Sequence, residues 1–416
     1  MVAYGLVNLG NTCYINSTIQ VLAKIPELKK ALEERKNAPS MGPPTQLAKG
    51  LSNVLHTLET SGDTVKPFSF IQVSFVSTKT FMTVFPQFAE RDKESGAFQQ
   101  QDADECFQGI LSTLEPAMST PSGENIIEKL FSFDVMYKTR NQETEEEEET
   151  VSFERLRRLP CMIDAEGAPI NLISEGITVG LEGTIEKTSS VLERSCIYKK
   201  TGRISSLPSY LIVQKIRFIW KGQDMGTMNK AQKAKILRAV NFPKVLDVAP
   251  FCTPELQAEF KETRRLLKER DDEKAKQQEK EYEEFKKQFD KTPDVDTQKI
   301  NKIWKEKKKE EELKQHEQDL WREHDGNKPT GDYELMGVIT HKGRSADSGH
   351  YLGWTQAHGG SSGLSPRRVV PIRRRRCDEG QDRRHLGPER RRRLAHGLLP
   401  GLPKVGHRPQ VINVLF

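Results

Sequence analysis

The sequence predicts an α+β fold, and three features of it carry that expectation. Apolar residues recur at helical spacing from Tyr4 to about Pro116, then alternate with polar ones from about Leu130 onward. Between about Thr253 and Pro329 both patterns give way to a Lys- and Glu-rich stretch. It keeps only a thin apolar stripe and reads as solvent-facing helices inserted into the surrounding domain. A chain of 416 residues has room for one large domain or two ordinary ones.

The first element starts from a Gly-bracketed turn, Gly5 to Gly10, that leads into Cys13. Ile15, Ile19, Leu22 and Ile25 then fall on one helical face, and Pro26 ends the run. Cys13 therefore sits at a helix N-terminus, where free N–H groups and the dipole favour a thiolate. Asn8 supplies an amide donor just upstream, suited to negative charge developing on a substrate oxygen. A lone Cys at a helix start is more often structural. This one is not alone, because Asp347-Ser348-Gly349-His350-Tyr351 supplies a His far downstream, and Cys and His of a thiol hydrolase meet in the fold rather than in sequence.

Further helices are expected around Leu28, Ala31 and Leu32, and along Leu47, Leu51, Val54, Leu55 and Leu58. Phe81, Val84, Phe85 and Phe88 read as core. Gln100-Gln101-Asp102-Ala103-Asp104-Glu105-Cys106 opens a helix carrying Phe107, Ile110 and Leu114, its acidic residues opposing the dipole. Phe131, Phe133, Val135 and Tyr137 alternate as a half-buried strand, and Glu145 to Glu149 reads as a solvated loop. Leu207 to Phe218 and Tyr333 to Thr340 are strands, with a loop from His341 to Ser345 before His350.

Composition narrows the function classes. No apolar run approaches the roughly twenty residues of a spanning helix, and no basic-then-apolar signal pattern opens the chain, so neither a membrane partner nor export is expected. The six cysteines are scattered without a Cys-x-x-Cys pair, which excludes a zinc ribbon or a thioredoxin-type motif and suggests a reducing compartment, the cytoplasm and also the nucleus. The net charge of +6 comes from the tail: fourteen Lys and Arg against four Asp and Glu follow Trp354, leaving a slightly acidic body. The Arg clusters lack interleaved aromatics, so nucleic acid is not favoured as a partner.

Two boxes give the reading its specificity. Gly5-Leu6-Val7-Asn8-Leu9-Gly10-Asn11-Thr12-Cys13-Tyr14-Ile15-Asn16 resembles the cysteine box of the ubiquitin-specific proteases, and Ser348-Gly349-His350-Tyr351 resembles their histidine box. Gln100 to Ala103 and Leu207-Pro208-Ser209-Tyr210-Leu211-Ile212-Val213-Gln214 resemble further family segments. The resemblance implies a papain-like fold, with a helical thumb and antiparallel-sheet palm and fingers, spanning residues 1–355 with the insertion at 253–329. It implies a thiol-dependent deubiquitinase that cleaves peptide and isopeptide bonds at ubiquitin's C-terminal glycine, without cofactor or metal. Cys13 would be the nucleophile, His350 the general base and acid, and Asn8 part of the oxyanion hole. Gln101, Asp102, Tyr210, Gln214, Ser348, Gly349 and Tyr351 would bind substrate. Ubiquitin and ubiquitinated proteins are the implied partners. Phe85 to Glu90, Cys252 to Gln257 and Thr340 to Ser345 resemble the proteasome-associated branch, which implies the proteasome as a further partner.

Two departures qualify this. The branch carries a ubiquitin-like domain ahead of its catalytic domain, and here Met1 lies almost on the cysteine box, so that domain is expected to be absent. After Trp354 the family pattern expects Trp-x-x-Phe-Asp-Asp-Asp, then Gly-Gly-Gly-Asp-Trp-His and a last core strand. This chain offers Arg367 to Arg376 and Arg390 to Arg393 instead. With plausible codons both motifs reappear, in order, in one offset frame, so residues 356–416 read as a frame-shifted, disordered tail. The alternative function is a catalytically impaired ubiquitin-binding module, because the triad Asp and the last core strand are then missing.

Overall fold

The computed structural model describes residues 5–36, 42–71, 81–91, 96, 98–119, 123–165, 168–221, 232–287, 298, 300–308, 329–343, 349–356, 369–371 and 410–415. Contacts divide the chain into two units, residues 1–246 with 333–416, and residues 247–332.

The first unit begins with helices α1 (Cys13–Leu22), α2 (Pro26–Glu34), α3 (Pro43–Thr60), α4 (Phe68–Ile71), α5 (Phe81–Val84), α6 (Ala103–Leu114) and α7 (Ile126–Phe131). Proline opens α2 and α3, where its missing N–H costs no bond. Asp102 caps α6 and Asn125 caps α7, each accepting from two backbone N–H groups. Tyr14, Ile19, Leu51, Leu55, Phe81, Phe88, Phe107 and Ile110 share one buried cluster, and the Phe81 and Phe88 rings stack with centroids 5.7 Å apart. The aromatic segment is therefore core, as its spacing predicts.

Strands follow: β1 (Phe133–Asn141), β2 (Thr150–Leu156), β3 (Leu159–Met162), the small ribbon β4 (Asp164–Ala165) and β5 (Ala168–Pro169), then helix α8 (Ile173–Leu181). After it come β6 (Glu182–Thr188), β7 (Ser195–Ile204), β8 (Tyr210–Ile216), the hairpin β9 (Phe218–Lys221) and β10 (Gln232–Lys235), and β11 (Val245–Asp247). One antiparallel sheet runs β2-β1-β7-β6. Its two long loops are tied together by the acidic run expected to be merely solvated. Glu147 accepts from the Tyr198 hydroxyl at 2.6 Å, the Asn141 amide at 2.8 Å and the Ser189 hydroxyl at 2.8 Å. Those three bonds hold its carboxyl down to about 2.

The second sheet is mixed and includes the C-terminal strands β12 (Asp332–Lys342), β13 (His350–Gln356), β14 (Val369–Pro371) and β15 (Gln410–Leu415). Its order is β14-β13-β12-β15-β8-β3, antiparallel through β12 and parallel from there on. Two expectations are corrected here. His341 and Lys342 end β12 rather than opening a loop, because they pair in register with Tyr351 and His350. The last core strand is not missing either, since Gln410–Leu415 pairs with β8 on one side and β12 on the other. The cause is the need of two adjacent backbone edges for a partner, met by a segment rich in β-branched residues. Apart from 369–371 and 410–415, the Arg-rich tail lies outside the described residues.

Glycines let α1 lie close against this sheet. A Cβ on Gly353 would stand 3.2 Å from the Ser17 carbonyl oxygen, and one on Gly337 would stand 3.3 Å from the Val21 methyls. Beneath β8, Lys215 is 1% exposed. Its ammonium donates to the Val240 carbonyl at 3.2 Å and sits 4.6 Å from the Phe242 ring centre, while burial pushes its pKa down to about 8.

The second unit is led by α9 (Pro254–Lys287). Phe260 and Thr263 are its buried residues, and Gly331, at φ +77°, meets the Phe260 ring where any Cβ would collide. Arg264 donates to the Thr330 carbonyl at 2.7 Å and to the Asp247 carboxylate at 2.8 Å. Trp304, in a second helical segment at 300–308, packs on Tyr282 and Phe285 with ring centres 5.6 and 5.2 Å apart. No helix among the described residues is long and apolar enough to cross a membrane.

Candidate active site

The loop before α1 is built by its own polar side chains. The Asn8 side-chain oxygen accepts from the Thr12 N–H at 3.0 Å and the Thr12 hydroxyl at 3.1 Å, and the Leu9 N–H donates to that hydroxyl at 2.9 Å. Gly10 turns the chain at φ +95° and Asn11 follows at φ +50°, its amide donating to the Phe98 carbonyl at 2.8 Å. The Val7 N–H donates to the Val65 carbonyl and the Val65 N–H to the Gly5 carbonyl, both at 2.9 Å, which clamps the loop from outside. The loop therefore delivers Cys13 as the first residue of α1, 5% exposed, with the Asn8 amide fixed four residues from Thr12.

From the other end of the chain, β13 brings His350 and Tyr351. The Tyr351 N–H donates to the Cys13 sulfur at 3.4 Å, a contact across 338 residues. His350, half-buried, is the neighbouring residue and the first of its strand. Tyr351 also reaches the start of α6, where its phenol oxygen is bonded to the Ala103 backbone. Burial foremost, and then the Asp102 charge, push that phenol well above its ordinary range. A thiol at a helix N-terminus, an imidazole carried by the residue next to Tyr351 and an anchored Asn8 amide are groups of the kind that run acyl transfer through a thioester.

The other expected substrate residues divide. Gln101 and Asp102 are half-buried beside Ala103, and Asp102 spends one carboxylate oxygen capping α6, at 2.7 Å from the Asp104 N–H. Gln214 donates its amide to Asp104 at 2.7 Å, tying β8 to α6. Tyr210 is 5% exposed, packs on Phe131, and donates its hydroxyl to Glu27 at 2.6 Å. This corrects its assignment: it is a core residue, because the start of β8 points beneath the helices. Gly349 is exposed beside His341, at φ +146°. Ser348 lies outside the described residues.

The sequence reading missed four side chains. Asp104 is 3% exposed, receives Arg158 and Gln214 on Oδ2, and has Oδ1 buried without a hydrogen-bond partner among the described residues. Burial raises its pKa to about 6, against the pull of Arg158 and with a further rise from Asp102. Gln100, Lys235 and His341 meet each other next to Gly349. The available signal was His341 itself, a second imidazole nine positions before His350. Among the described residues no group of three or more His, Cys, Asp or Glu is arranged to hold a metal ion.

Comparison with known proteins agrees with this architecture. The family model described as ubiquitin carboxyl-terminal hydrolase matches residues 4–362. "Ubiquitin carboxyl-terminal hydrolase 6" of Arabidopsis thaliana is 34% identical over 363 residues, covering 86% of this chain and 70% of that protein. "Ubiquitin carboxyl-terminal hydrolase 6" of Schizosaccharomyces pombe is 35% identical over 359 residues, covering 84% and 68%. "Ubiquitin carboxyl-terminal hydrolase 14" of Caenorhabditis elegans is 31% identical over 358 residues, covering 85% and 64%. With the match running through both the thiol-bearing loop and the histidine-bearing strand, and with helices and sheets laid out in an α+β, papain-like manner, the chain belongs to the ubiquitin carboxyl-terminal hydrolase family and is a cysteine-type deubiquitinase.

Proposed function

We propose that Cys13 is the nucleophile that cleaves the bond between ubiquitin's C-terminal glycine and a lysine or backbone amine. The observation that carries this reading is the 3.4 Å bond from the Tyr351 N–H to the Cys13 sulfur, which brings the first residues of β13 and α1 into one site. His350 takes the thiol proton, and the thiolate attacks the glycine carbonyl. The resulting oxyanion is met by the Asn8 amide and the Cys13 N–H. Collapse of the intermediate breaks the C–N bond as His350 returns the proton to the leaving amine, leaving a thioester. Water, deprotonated by the same imidazole, then attacks the thioester, and the thiol leaves with release of the carboxylate. Gln101 and Asp102 line the approach for the extended tail of ubiquitin.

A ubiquitin bearing a C-terminal electrophile tests this. The chain is expected to be captured covalently, and Cys13→Ala is expected to lose capture entirely. Ubiquitin binding without capture in the unmodified chain would instead identify a non-catalytic ubiquitin-binding module.

The likeness to the proteasome-associated branch supports a role on proteasome-bound conjugates in the cytoplasm and nucleus. Co-sedimentation with purified proteasomes and imaging of a tagged chain check these two points. A chain that stays unbound in the first, or is confined to another compartment in the second, contradicts them.

A further inference from the structure

A second histidine stands behind the first. His341 ends β12, and its ring lies against Gly349, where a Cβ would come within 2.6 Å of Nε2. It also packs on the Tyr351 ring, with centroids 4.7 Å apart. Both ring nitrogens are engaged. Lys235, at the end of β10, reaches Nδ1 at 2.8 Å and also donates to the carbonyls of His341 at 3.2 Å and Gly343 at 2.9 Å. An ammonium can only donate, so Nδ1 is the acceptor. Nε2 then carries the ring proton 3.0 Å from the Gln100 side-chain amide nitrogen, so that amide accepts it only with its oxygen turned to this position.

We propose that His341, locked by Lys235, is a positioning residue for the thiol chemistry. It fixes the Gly349–Tyr351 backbone that carries His350 and presents the Tyr351 N–H to the Cys13 sulfur. The lock has three donors on one ammonium for three acceptors on the strand end and its turn, so the ring cannot rotate without breaking a charge-assisted bond. The titratable groups facing the ring are Lys235, His350 and Tyr351. Burial first, then Lys235 and His350, push the His341 pKa down to about 4, so it stays neutral over the range in which a thiol and an imidazole exchange a proton. Its role is geometric, not proton transfer. Gly349 belongs to the same device, since only a residue without a Cβ lets the ring lie flat against the turn.

This rests on Cys13 and His350 acting as described above, and the experiment separates the two. In the full chain, Cys13 alkylation by iodoacetamide is followed against pH, with Cys13→Ala as the blank. Steady-state hydrolysis of a fluorogenic C-terminal amide of ubiquitin is measured alongside. Lys235→Met and His341→Leu are each expected to raise the alkylation midpoint by about one pH unit and to lower kcat about tenfold, with KM changed less than about twofold. The double variant is expected to be no worse than either single one, and Lys235→Arg, which keeps the donors, to recover most of the loss. Wild-type midpoint and kcat in Lys235→Met, with its melting curve unchanged, would overturn the inference while leaving the reading of Cys13 intact. Failure of the wild-type chain to alkylate at Cys13 or turn over would overturn both. Should His341→Leu fail to fold, Lys235→Met decides alone.

Discussion

At the residue scale, the Cys13 sulfur lies 3.4 Å from the Tyr351 N–H, and His350 is the residue before Tyr351 in the same strand. Cys13 and His350 stand in sequence beside residues that only make sense next to them: a Gly-rich turn before the thiol, and Gly349 before the imidazole. Asp104 carries no such mark, since an acidic residue in a first helical turn ordinarily faces solvent and favours the dipole. Its burial comes from β8 and Arg158 closing over it. The consequence is a measurable pH dependence. With a folded pKa of about 6 against an ordinary 3.8, the folded state holds the proton more tightly, so the group's contribution is most favourable below the unfolded value. It is lost as pH rises from about 4 through 6. Asp104→Asn cannot titrate, so relative to wild type it is expected to gain on the order of 1–3 kcal/mol between pH 4 and pH 7. Denaturant melts at the two pH values check this, and a constant difference would contradict it.

At the element scale, loops turned out to be fastened by residues whose type suggested solvent. Glu147 lies in a run of five glutamates, and nothing in that run distinguishes it from its neighbours. Only the fold brings Tyr198, Asn141 and Ser189 to one of the five. Its depressed pKa makes the sign opposite to that of Asp104: the stabilisation is present above the unfolded value near 4.5 and is lost as pH falls toward 2. Glu147→Ala is expected to free residues 142–149 and 189–194 at neutral pH, seen as faster hydrogen exchange in both loops together and unchanged exchange in α1. Faster exchange in only one loop would show that the carboxylate does not link them. By contrast, the starts of α2, α3 and α6 rest on local backbone chemistry, through Pro26, Pro43 and Asp102.

At the scale of the whole molecule, the sheet is completed from the far end of the chain. Gln410–Leu415 fills the slot between β8 and β12, and β12 pairs on its other edge with β13, the strand that begins with His350. Deleting residues 410–416 is expected to open two strand edges at the centre of the sheet, giving rapid proteolysis and loss of capture by the ubiquitin electrophile. A truncated chain that resists protease and still reacts would show that β15 is dispensable. The sequence by itself determined the α+β class, the apolar faces of the first helices and the two boxes bearing Cys13 and His350. These follow from periodicity, capping and short motifs, all local properties of the chain. Tertiary structure alone decided that Tyr210 is core, that Asp104 is buried, that Lys235 and His341 meet behind His350, and that the tail supplies a central strand. Each of these depends on which distant segment covers a given side chain or backbone edge, and desolvation and hydrogen-bond completion are set by that partner rather than by the residue's neighbours in sequence.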